Sequence, residues 1–350
     1  MNQLKLSFII PIYNGANFIG KCLDSILLQN IPHTDYEIIC VNDCSHDNSV
    51  LVVNSYQKKH SNIRLIQQDA NLKTGTTCNT GVDNAQGKYI WLIGQDDWIE
   101  CNCLNNLIQT CDKNELDVLA FNYRRVDQFE KELHSATVFN NTEVMNGNAF
   151  VHQYFGNNYV HYLLGYEWRA IFNRKYLQSN NINFKDGAIY EDTTYLFKAI
   201  IYAQRFVSID DFIYNYRVNT FSITDFNKKY KGGLIYEFAF VAGSEVLELS
   251  IDLKNKDKEF SNTLYRKAIW YFESFSYKVV ASSIKEKRVF YSLLSKNSES
   301  VNEMISLTSW YIKLLAKPHL GFLCAIILKP FYRLNKKIKN RNKSKQDWSY

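Results

Sequence analysis

The chain has 350 residues, 46% of them hydrophobic and 22% charged, which excludes a disordered or fibrous protein and predicts two or three folding units. Its net charge of +6 comes largely from eight Lys and Arg residues between Lys329 and Lys345, so the remainder is nearly neutral and no nucleic-acid partner is expected. The eight cysteines are scattered through predicted strands and helices, and we expect reduced thiols in a cytoplasmic protein without a signal peptide.

The first 122 residues alternate short apolar runs with stretches of helical periodicity. Strands are predicted at 6–12, 36–41, 63–66, 89–93 and 117–122, and helices at 16–28, from 47 or 48 to about 60, at 74–85 and at 103–111. Parallel strands are connected almost always by right-handed crossovers, which usually contain a helix. The alternation therefore predicts an α/β fold with a mostly parallel sheet.

Beyond residue 122 the pattern changes twice. Periodicity weakens over 124–158, which we interpret as an excursion that carries part of a substrate site, and order returns at 168–177, 193–202 and 206–209. From about residue 228 the predicted elements are helices, at 233–250, 260–281, 287–294 and 301–315. We predict a first domain over 1–225 with halves 1–122 and 123–225, a helical segment over 226–328 and a basic tail over 329–350.

The C-terminal region suggests contact with a membrane surface. Its apolar stretch, 320–328, is far shorter than the roughly 20 residues that span a bilayer. In one interpretation it lies in the lipid interface, and the basic tail is drawn to an anionic membrane at the inner face of the cell. In the other, a terminal helix packs on the protein and the tail is solvated.

Acidic residues follow two of the predicted parallel strands, whose carboxyl ends meet at one edge of the sheet. Asp43 could accept an imide N–H from a nucleobase, or cap the next helix. Asp96 and Asp97 repel each other unless a cation lies nearby, and Mg²⁺ or Mn²⁺ binds a few carboxylates together with substrate phosphates. A simple acidic turn is the alternative. Glu191 and Asp192 precede a predicted helix, where they could supply a general base or favour the helix N-terminus.

Together these fragments resemble the family-2 glycosyltransferases of the GT-A fold, a Rossmann-like sheet, over roughly residues 4–225. The segments that carry the resemblance are Ile9-Ile-Pro-Ile-Tyr-Asn14, Ser25-Ile-Leu-Leu-Gln29, Glu37-Ile-Ile-Cys-Val-Asn-Asp43 with Ser45 and Asp47, Asn79-Thr-Gly81, Ala85-Gln-Gly-Lys-Tyr-Ile90, Asp96-Asp97-Trp98, Glu191-Asp192, and Tyr214-Asn-Tyr-Arg217 followed by Ser222.

The resemblance implies an inverting enzyme that moves a sugar from a UDP-sugar donor to a glycan or lipid-linked acceptor with the help of Mn²⁺ or Mg²⁺, in surface polysaccharide synthesis. It implies a nucleotide site formed by Pro11, Tyr13, Asn14, Asp43, Lys73, Asn79 and Asp96. It further implies that Asp96 or Asp97 binds the metal and that Asp192 is the catalytic base. Trp168 and Glu191 would lie on the acceptor side, and Arg217 would reach the diphosphate. Core packing of Trp168 and an exposed ion pair of Arg217 are the alternatives.

Two departures from the family pattern leave the function open. Gly94 stands where the family usually has an acid, and Gln95 follows it where a small residue is common. Cys78 precedes Asn79 where Arg is usual, with Lys73 nearby to supply the lost charge. A module that binds a nucleotide sugar without turnover is therefore the alternative function. A sugar nucleotidyltransferase is a third, although it needs a Gly- and Arg-rich phosphate loop near the N-terminus, for which Tyr13-Asn-Gly-Ala-Asn17 is a poor substitute.

Overall fold

The computed structural model describes residues 4–135, 141–155, 166–184, 194–218 and 233–281. The chain divides into two compact units, Met1–Ser222 and Ile223–Tyr350.

The strands of the first unit form one sheet, with ten strands in the residues that the structure describes. They are β1 (Leu6–Ile12), β2 (Tyr36–Asn42), β3 (Ile63–Gln67), β4 (Tyr89–Leu92), β5 (Trp98–Ile99), β6 (Val118–Val126), β7 (Glu132–Ser135), β8 (Asn141–Met145), β9 (Ala170–Asn173) and β10 (Phe206–Arg217). The order is β3-β2-β1-β4-β9-β6-β10-β5, with β7 paired to β6 and β8 to β10.

The sheet is parallel from β3 to β4 and mixed beyond that point. Strands β1, β2, β3 and β4 pair in parallel, as their alternation with helices predicts. Strand β9 then lies antiparallel between β4 and β6, and β5, β7 and β8 also pair antiparallel with their neighbours. Parallel pairing returns between β6 and β10. The α/β class is confirmed, and the mixed half is richer in antiparallel pairs than the sequence pattern indicates.

Helices are present where they are predicted in the first 122 residues and at 193–202, and two further helices, at 147–155 and 174–179, lie where the sequence pattern does not specify a helix. They are α1 (Ile19–Leu27), α2 (Ser49–Gln57), α3 (Lys73–Asp83), α4 (Leu104–Lys113), α5 (Gly147–Phe155), α6 (Arg174–Ser179) and α7 (Tyr195–Tyr202). The stretch 124–158, where periodicity is weak, holds the end of β6, strands β7 and β8 and helix α5. Strand β7 is exposed at every position, so it shows no alternation of apolar and polar residues.

Alternating residues of β1 pack against different neighbours. Phe8, Ile10 and Ile12 belong to the core that also holds the apolar faces of α1 and α4. Ile9 faces helix α3 at Gly81, where an added Cβ would lie 2.2 Å from the Ile9 Cγ2 atom. Glycine at position 81 therefore allows the second half of α3 to approach the sheet closely.

The second unit contains two long helices in its described part, α8 (Gly233–Leu253) and α9 (Lys258–Ala281). The Asp257 carboxylate accepts the Phe260 N–H at 3.0 Å and caps α9, and the Ser261 hydroxyl donates to the Ser250 carbonyl at 2.7 Å. Of the described helices, none combines the length and the apolar character that crossing a bilayer requires. The predicted helices 287–294 and 301–315, the stretch 320–328 and the tail lie outside the described residues.

Candidate active site

Three loops meet at one edge of the sheet because β2, β1 and β4 are parallel neighbours. The loop after β1 begins at Tyr13, the loop after β2 at Asp43 and the loop after β4 at Ile93. The Asp43 N–H donates to the Ile12 carbonyl at 2.8 Å, and the Ile93 N–H donates to the Ile9 carbonyl at 2.9 Å. Ligands bind at such an edge in open α/β sheets, so these loops form the candidate site.

Asp43 is buried and holds the start of helix α3. Its two carboxylate oxygens accept the Leu72 N–H at 2.6 Å and the Lys73 N–H at 3.1 Å. Lys73 has a φ of 73°, in the left-handed region, and its side chain is exposed. A carboxylate has about four lone-pair positions, so these two bonds leave room for another donor. Asp43 and Lys73 are thus neighbours at the edge of the sheet.

The loop after β1 is fixed by side chains at four successive N–H groups. The Tyr13, Asn14, Gly15 and Ala16 N–H groups donate to Gln95 Oε1, Ser45 Oγ, Ser49 Oγ and Asp47 Oδ2 at 2.8 to 3.0 Å. Asn14 has a φ of 48°, and its side-chain oxygen accepts the His46 N–H at 2.8 Å. The Asn14 side chain, although exposed, therefore ties the loop after β1 to the loop after β2.

The Tyr13 ring lies next to this fixed backbone and remains accessible. It is 44% exposed. Pro11, two residues earlier, is partly buried in β1 opposite Val41 of β2. The loop therefore presents an aromatic ring to solvent on a backbone that hydrogen bonds hold in place.

Asp97 is buried in a network that connects β4 to the end of β10. Its carboxylate accepts the Tyr214 hydroxyl at 2.6 Å and the Arg217 N–H at 2.8 Å, and the Tyr214 oxygen accepts the Gly94 N–H at 3.0 Å. Burial, and then the charge of Asp96, raise the pKa of Asp97 well above its ordinary value, while the Tyr214 and Arg217 bonds act in the opposite direction. Both Asp97 oxygens thus have protein donors.

Gly94 is matched to this network. A Cβ at position 94 would lie 2.6 Å from the Asp97 Oδ2 atom, closer than such atoms approach each other. The absence of an acid at position 94 is therefore tied to the position that the Asp97 carboxylate takes.

Asp96 is the more accessible of the two neighbouring acids, since it is partly exposed whereas Asp97 is buried. The Arg217 Nε atom donates to the Asp96 carbonyl at 3.0 Å. The Arg217 guanidinium lies 4.7 Å from the centre of the Trp98 ring. Arg217 is 8% exposed, so its own side chain is buried although its ion-pair partner Glu130 is exposed. Arg217 holds the backbone of the acidic segment, with a looser contact to Glu130 at 3.9 Å.

A cation at this edge would have few protein ligands. Within the described ranges, no group of three or more His, Cys, Asp and Glu side chains gathers in a way that could hold a metal ion. Mg²⁺ usually keeps several waters and uses one or two carboxylates plus substrate phosphates, so a partly exposed Asp96 fits such an ion without a full protein cage.

Asn79 and Cys78 face the protein. The Asn79 amide donates to the Phe184 carbonyl at 2.9 Å and accepts the Phe184 N–H at 3.0 Å, and Cys78 is buried. Asn79 therefore binds both backbone polar groups of Phe184. The two acids predicted for the acceptor side and the base, Glu191 and Asp192, lie outside the described residues.

Trp168 is packed among tyrosines. It is 7% exposed, stacks on Tyr214 with ring centroids 4.3 Å apart, and lies parallel to Tyr216 at 5.4 Å. Tyr166 meets it edge-on at 5.4 Å and is itself 40% exposed. The structure therefore favours the core-packing alternative for Trp168, and Tyr166 is the most exposed ring of this cluster.

Sequence reasoning missed two groups at this edge. Tyr214 belongs to a motif segment, but its bond to Asp97 joins residues 117 positions apart. Gln95 departs from the family pattern, and the structure shows that its amide forms hydrogen bonds with the Tyr13 backbone.

The fold, with acids at the ends of parallel strands and a mixed second half, is the GT-A fold of nucleotide-sugar transferases. The 1–349 portion of Staphylococcus aureus TarS, solved in complex with UDP-GlcNAc, superposes with a TM-score of 0.65 over 95% of this chain and 92% of that chain, at 21% identity. Residues 7–180 match the sequence family described as Glycosyl transferase family 2. The chain belongs to this family.

Two relatives extend the comparison. The uncharacterized glycosyltransferase EpsJ of Bacillus subtilis is 29% identical over 226 residues, which is 63% of each chain. The poly(ribitol-phosphate) beta-glucosyltransferase of Bacillus spizizenii is 37% identical over 116 residues, 33% of this chain and 18% of that protein. The chain thus spans less than two thirds of either relative.

Proposed function

We propose that this chain transfers a sugar from a UDP-sugar to a hydroxyl group of a glycan or lipid-linked acceptor, in the synthesis of a surface polysaccharide. The observation that carries the proposal is the edge formed by β2, β1 and β4, where Asp43, the Tyr13 loop and Asp96 meet. The complex of TarS with UDP-GlcNAc supports a UDP-sugar donor. The name of the Bacillus spizizenii relative supports a polymeric acceptor.

The nucleobase would bind between Asp43 and Tyr13. Uracil carries an imide N–H. This group would donate a hydrogen bond to the Asp43 carboxylate, which is charged and has unused lone pairs. The exposed Tyr13 ring offers an aromatic face for the base or ribose, and the fixed loop backbone lowers the ordering cost of binding. Lys73, whose backbone Asp43 holds, would bring a positive charge near the phosphates.

Asp96 would hold the divalent cation. When bound, Mn²⁺ or Mg²⁺ neutralises charge that grows on the departing diphosphate. The Asp97 carboxylate accepts the Tyr214 hydroxyl and the Arg217 N–H. These bonds would stabilise the segment that carries Asp96. Arg217 holds the Asp96 carbonyl and keeps the segment at the sheet edge.

Asp192 would be the general base. It would take the proton of the acceptor hydroxyl while the acceptor oxygen forms a bond to the anomeric carbon and the bond from that carbon to the UDP oxygen breaks. One displacement from the face opposite the nucleotide inverts the anomeric centre. An α-linked donor therefore gives a β-linked product and free UDP.

Release of UDP from a panel of UDP-sugars, with and without Mn²⁺, tests this function. Asp192→Asn should abolish turnover and keep UDP binding, because it removes the base and leaves the nucleotide site intact. Asp83→Asn is the matched control, since Asp83 is exposed at the far end of α3, and it should release UDP at the wild-type rate. A wild-type chain that binds a UDP-sugar without turnover would favour the alternative of a binding module.

The basic tail would place the enzyme at the inner face of the cell membrane, close to a lipid-linked acceptor. Its eight Lys and Arg residues between Lys329 and Lys345 are the feature that supports this. Removal of residues 329–350 should release the protein from vesicles that contain anionic lipid, and vesicles of zwitterionic lipid serve as the control. Equal binding of the full and shortened chains to anionic vesicles would refute the anchor.

A further inference from the structure

Gln95 connects the acidic segment to the loop after β1. Its Oε1 atom accepts the Tyr13 N–H at 3.0 Å, and its Nε2 atom donates to the Tyr13 carbonyl at 2.9 Å. One primary amide thus binds both peptide groups of a single residue, in the manner of a neighbouring strand. The two residues are 82 positions apart in the sequence, so this bridge joins the end of β4 to the end of β1.

The space around this amide is shaped for it. A Cβ on Gly15 would lie 2.0 Å from the Gln95 Oε1 atom and 2.5 Å from its Cδ atom. A larger residue at position 15 would therefore expel the Gln95 side chain from the loop. Gln95 and Gly15 fit each other, which argues for a formed contact rather than a chance position of an exposed side chain.

The other N–H groups of the loop are held from a different direction. Asn14, Gly15 and Ala16 donate to Ser45, Ser49 and Asp47, which all follow β2 on the side of Asp43. Among these four N–H groups, that of Tyr13 is the one bound by a neighbour of Asp96. Loss of the Gln95 amide would leave the rest of the loop attached to the β2 side and would free Tyr13 from the acidic segment.

We propose that Gln95 is a positioning residue that fixes Tyr13 relative to Asp96, so that the nucleobase contact and the cation site act as one unit. This inference rests on the proposed function, because it assumes that Tyr13 contacts the nucleoside. Gln95 itself acts through the Tyr13 backbone and does not need to touch the nucleotide. Its effect on UDP binding should therefore depend on the presence of the Tyr13 ring.

A double-mutant cycle on UDP affinity, measured by calorimetry in the presence of Mn²⁺, tests this. Gln95→Ala should lower the affinity of the wild-type chain about fivefold to tenfold, as the loss of two hydrogen bonds that position a contact allows. In a Tyr13→Ala background the same change should lower the affinity by less than about twofold, because the contact that Gln95 positions is already gone. Gln109→Ala, an exposed glutamine on α4, is the control and should leave UDP affinity unchanged.

Gln95→Glu provides a second variant of nearly the same size. It keeps an acceptor for the Tyr13 N–H but places a carboxylate oxygen against the Tyr13 carbonyl, so it should weaken UDP binding at least as much as Gln95→Ala. Equal factors in both backgrounds, or wild-type affinity in Gln95→Ala and Gln95→Glu, would overturn the role of Gln95. A wild-type chain that does not bind UDP would instead refute the proposed function.

Discussion

Substitution by Asn is expected to destabilise the protein at one of the two neighbouring acids of the candidate site, Asp97, and to have little effect at the other, Asp96. In Asp97→Asn the new amide can accept from the Tyr214 hydroxyl or from the Arg217 N–H, but its NH₂ group must face the other donor. A buried donor left without an acceptor costs about 1–3 kcal/mol, and loss of the buried charge returns part of that cost. We expect a net loss of about 2 kcal/mol, which corresponds to a melting temperature lower by about 4–8 °C for a unit of this size.

Thermal melting followed by circular dichroism, at neutral pH and without added metal, measures this difference. Asp96→Asn is the matched variant, and because Asp96 is partly exposed, its stability should stay within about 0.5 kcal/mol of the wild type. A melting temperature unchanged in Asp97→Asn but clearly lowered in Asp96→Asn would show that the roles assigned to the two carboxylates are reversed.

Three further predictions concern the same edge of the sheet. Asp43→Asn should weaken UDP binding by at least about tenfold, because it removes a charged acceptor and turns an NH₂ group toward the Leu72 or Lys73 N–H; wild-type affinity in calorimetry would exclude Asp43 from the nucleotide site. Gly94→Asp should destabilise the chain by about 1–3 kcal/mol without improving Mn²⁺ affinity, since its Cβ would lie 2.6 Å from Asp97 Oδ2; a gain in Mn²⁺ affinity at unchanged stability would contradict the packing argument. For Asp47, burial raises the pKa, but hydrogen bonds from the Ser49 hydroxyl and the Ala16 and Ser49 N–H groups outweigh it and lower the pKa below the ordinary value of 3.8. The stabilisation by Asp47 is therefore complete above that value and lost as the pH falls through the folded-state pKa, so the melting difference between wild type and Asp47→Asn should shrink at acid pH, and a constant difference would refute it.

The sequence predicts best the strands that are buried on both faces. Strand β2 is buried at all seven positions, so it appears as a continuous apolar run bounded by polar residues. Strand β10 extends to Arg217, far beyond the predicted 206–209, because its middle carries the exposed pair Asp210 and Asp211, which interrupts the apolar pattern. Pairing with β6 is irregular between Ser208 and Phe212 and then continues to Arg217, and no local sequence pattern shows that continuation.

The candidate site also contains residues whose positions the sequence predicts and contacts that it does not predict. The positions of Asp43 and Asp96 follow from the rule that parallel strands end at one edge, which needs only the strand assignment. The partners of Asp97 do not follow from it, because Tyr214 and Arg217 come from the distant end of β10. Asn79 matches the family motif and Gln95 departs from it, but neither fact predicts what the side-chain amide binds. Each amide binds the backbone of a distant residue, a contact that depends on tertiary packing.

The proposed function places a UDP-sugar at the edge of β2, β1 and β4 and a cation on Asp96. Calorimetric titration with UDP, with and without Mn²⁺, in the wild type and in Asp96→Asn measures whether the two sites are linked. We predict that Mn²⁺ raises the UDP affinity of the wild type by at least about tenfold, as one charge-assisted contact allows, and that Asp96→Asn loses this gain while its metal-free UDP affinity stays unchanged. The cation site on Asp96 would be refuted if Mn²⁺ raised the UDP affinity equally in both proteins, or if Mn²⁺ did not change the UDP affinity of the wild type.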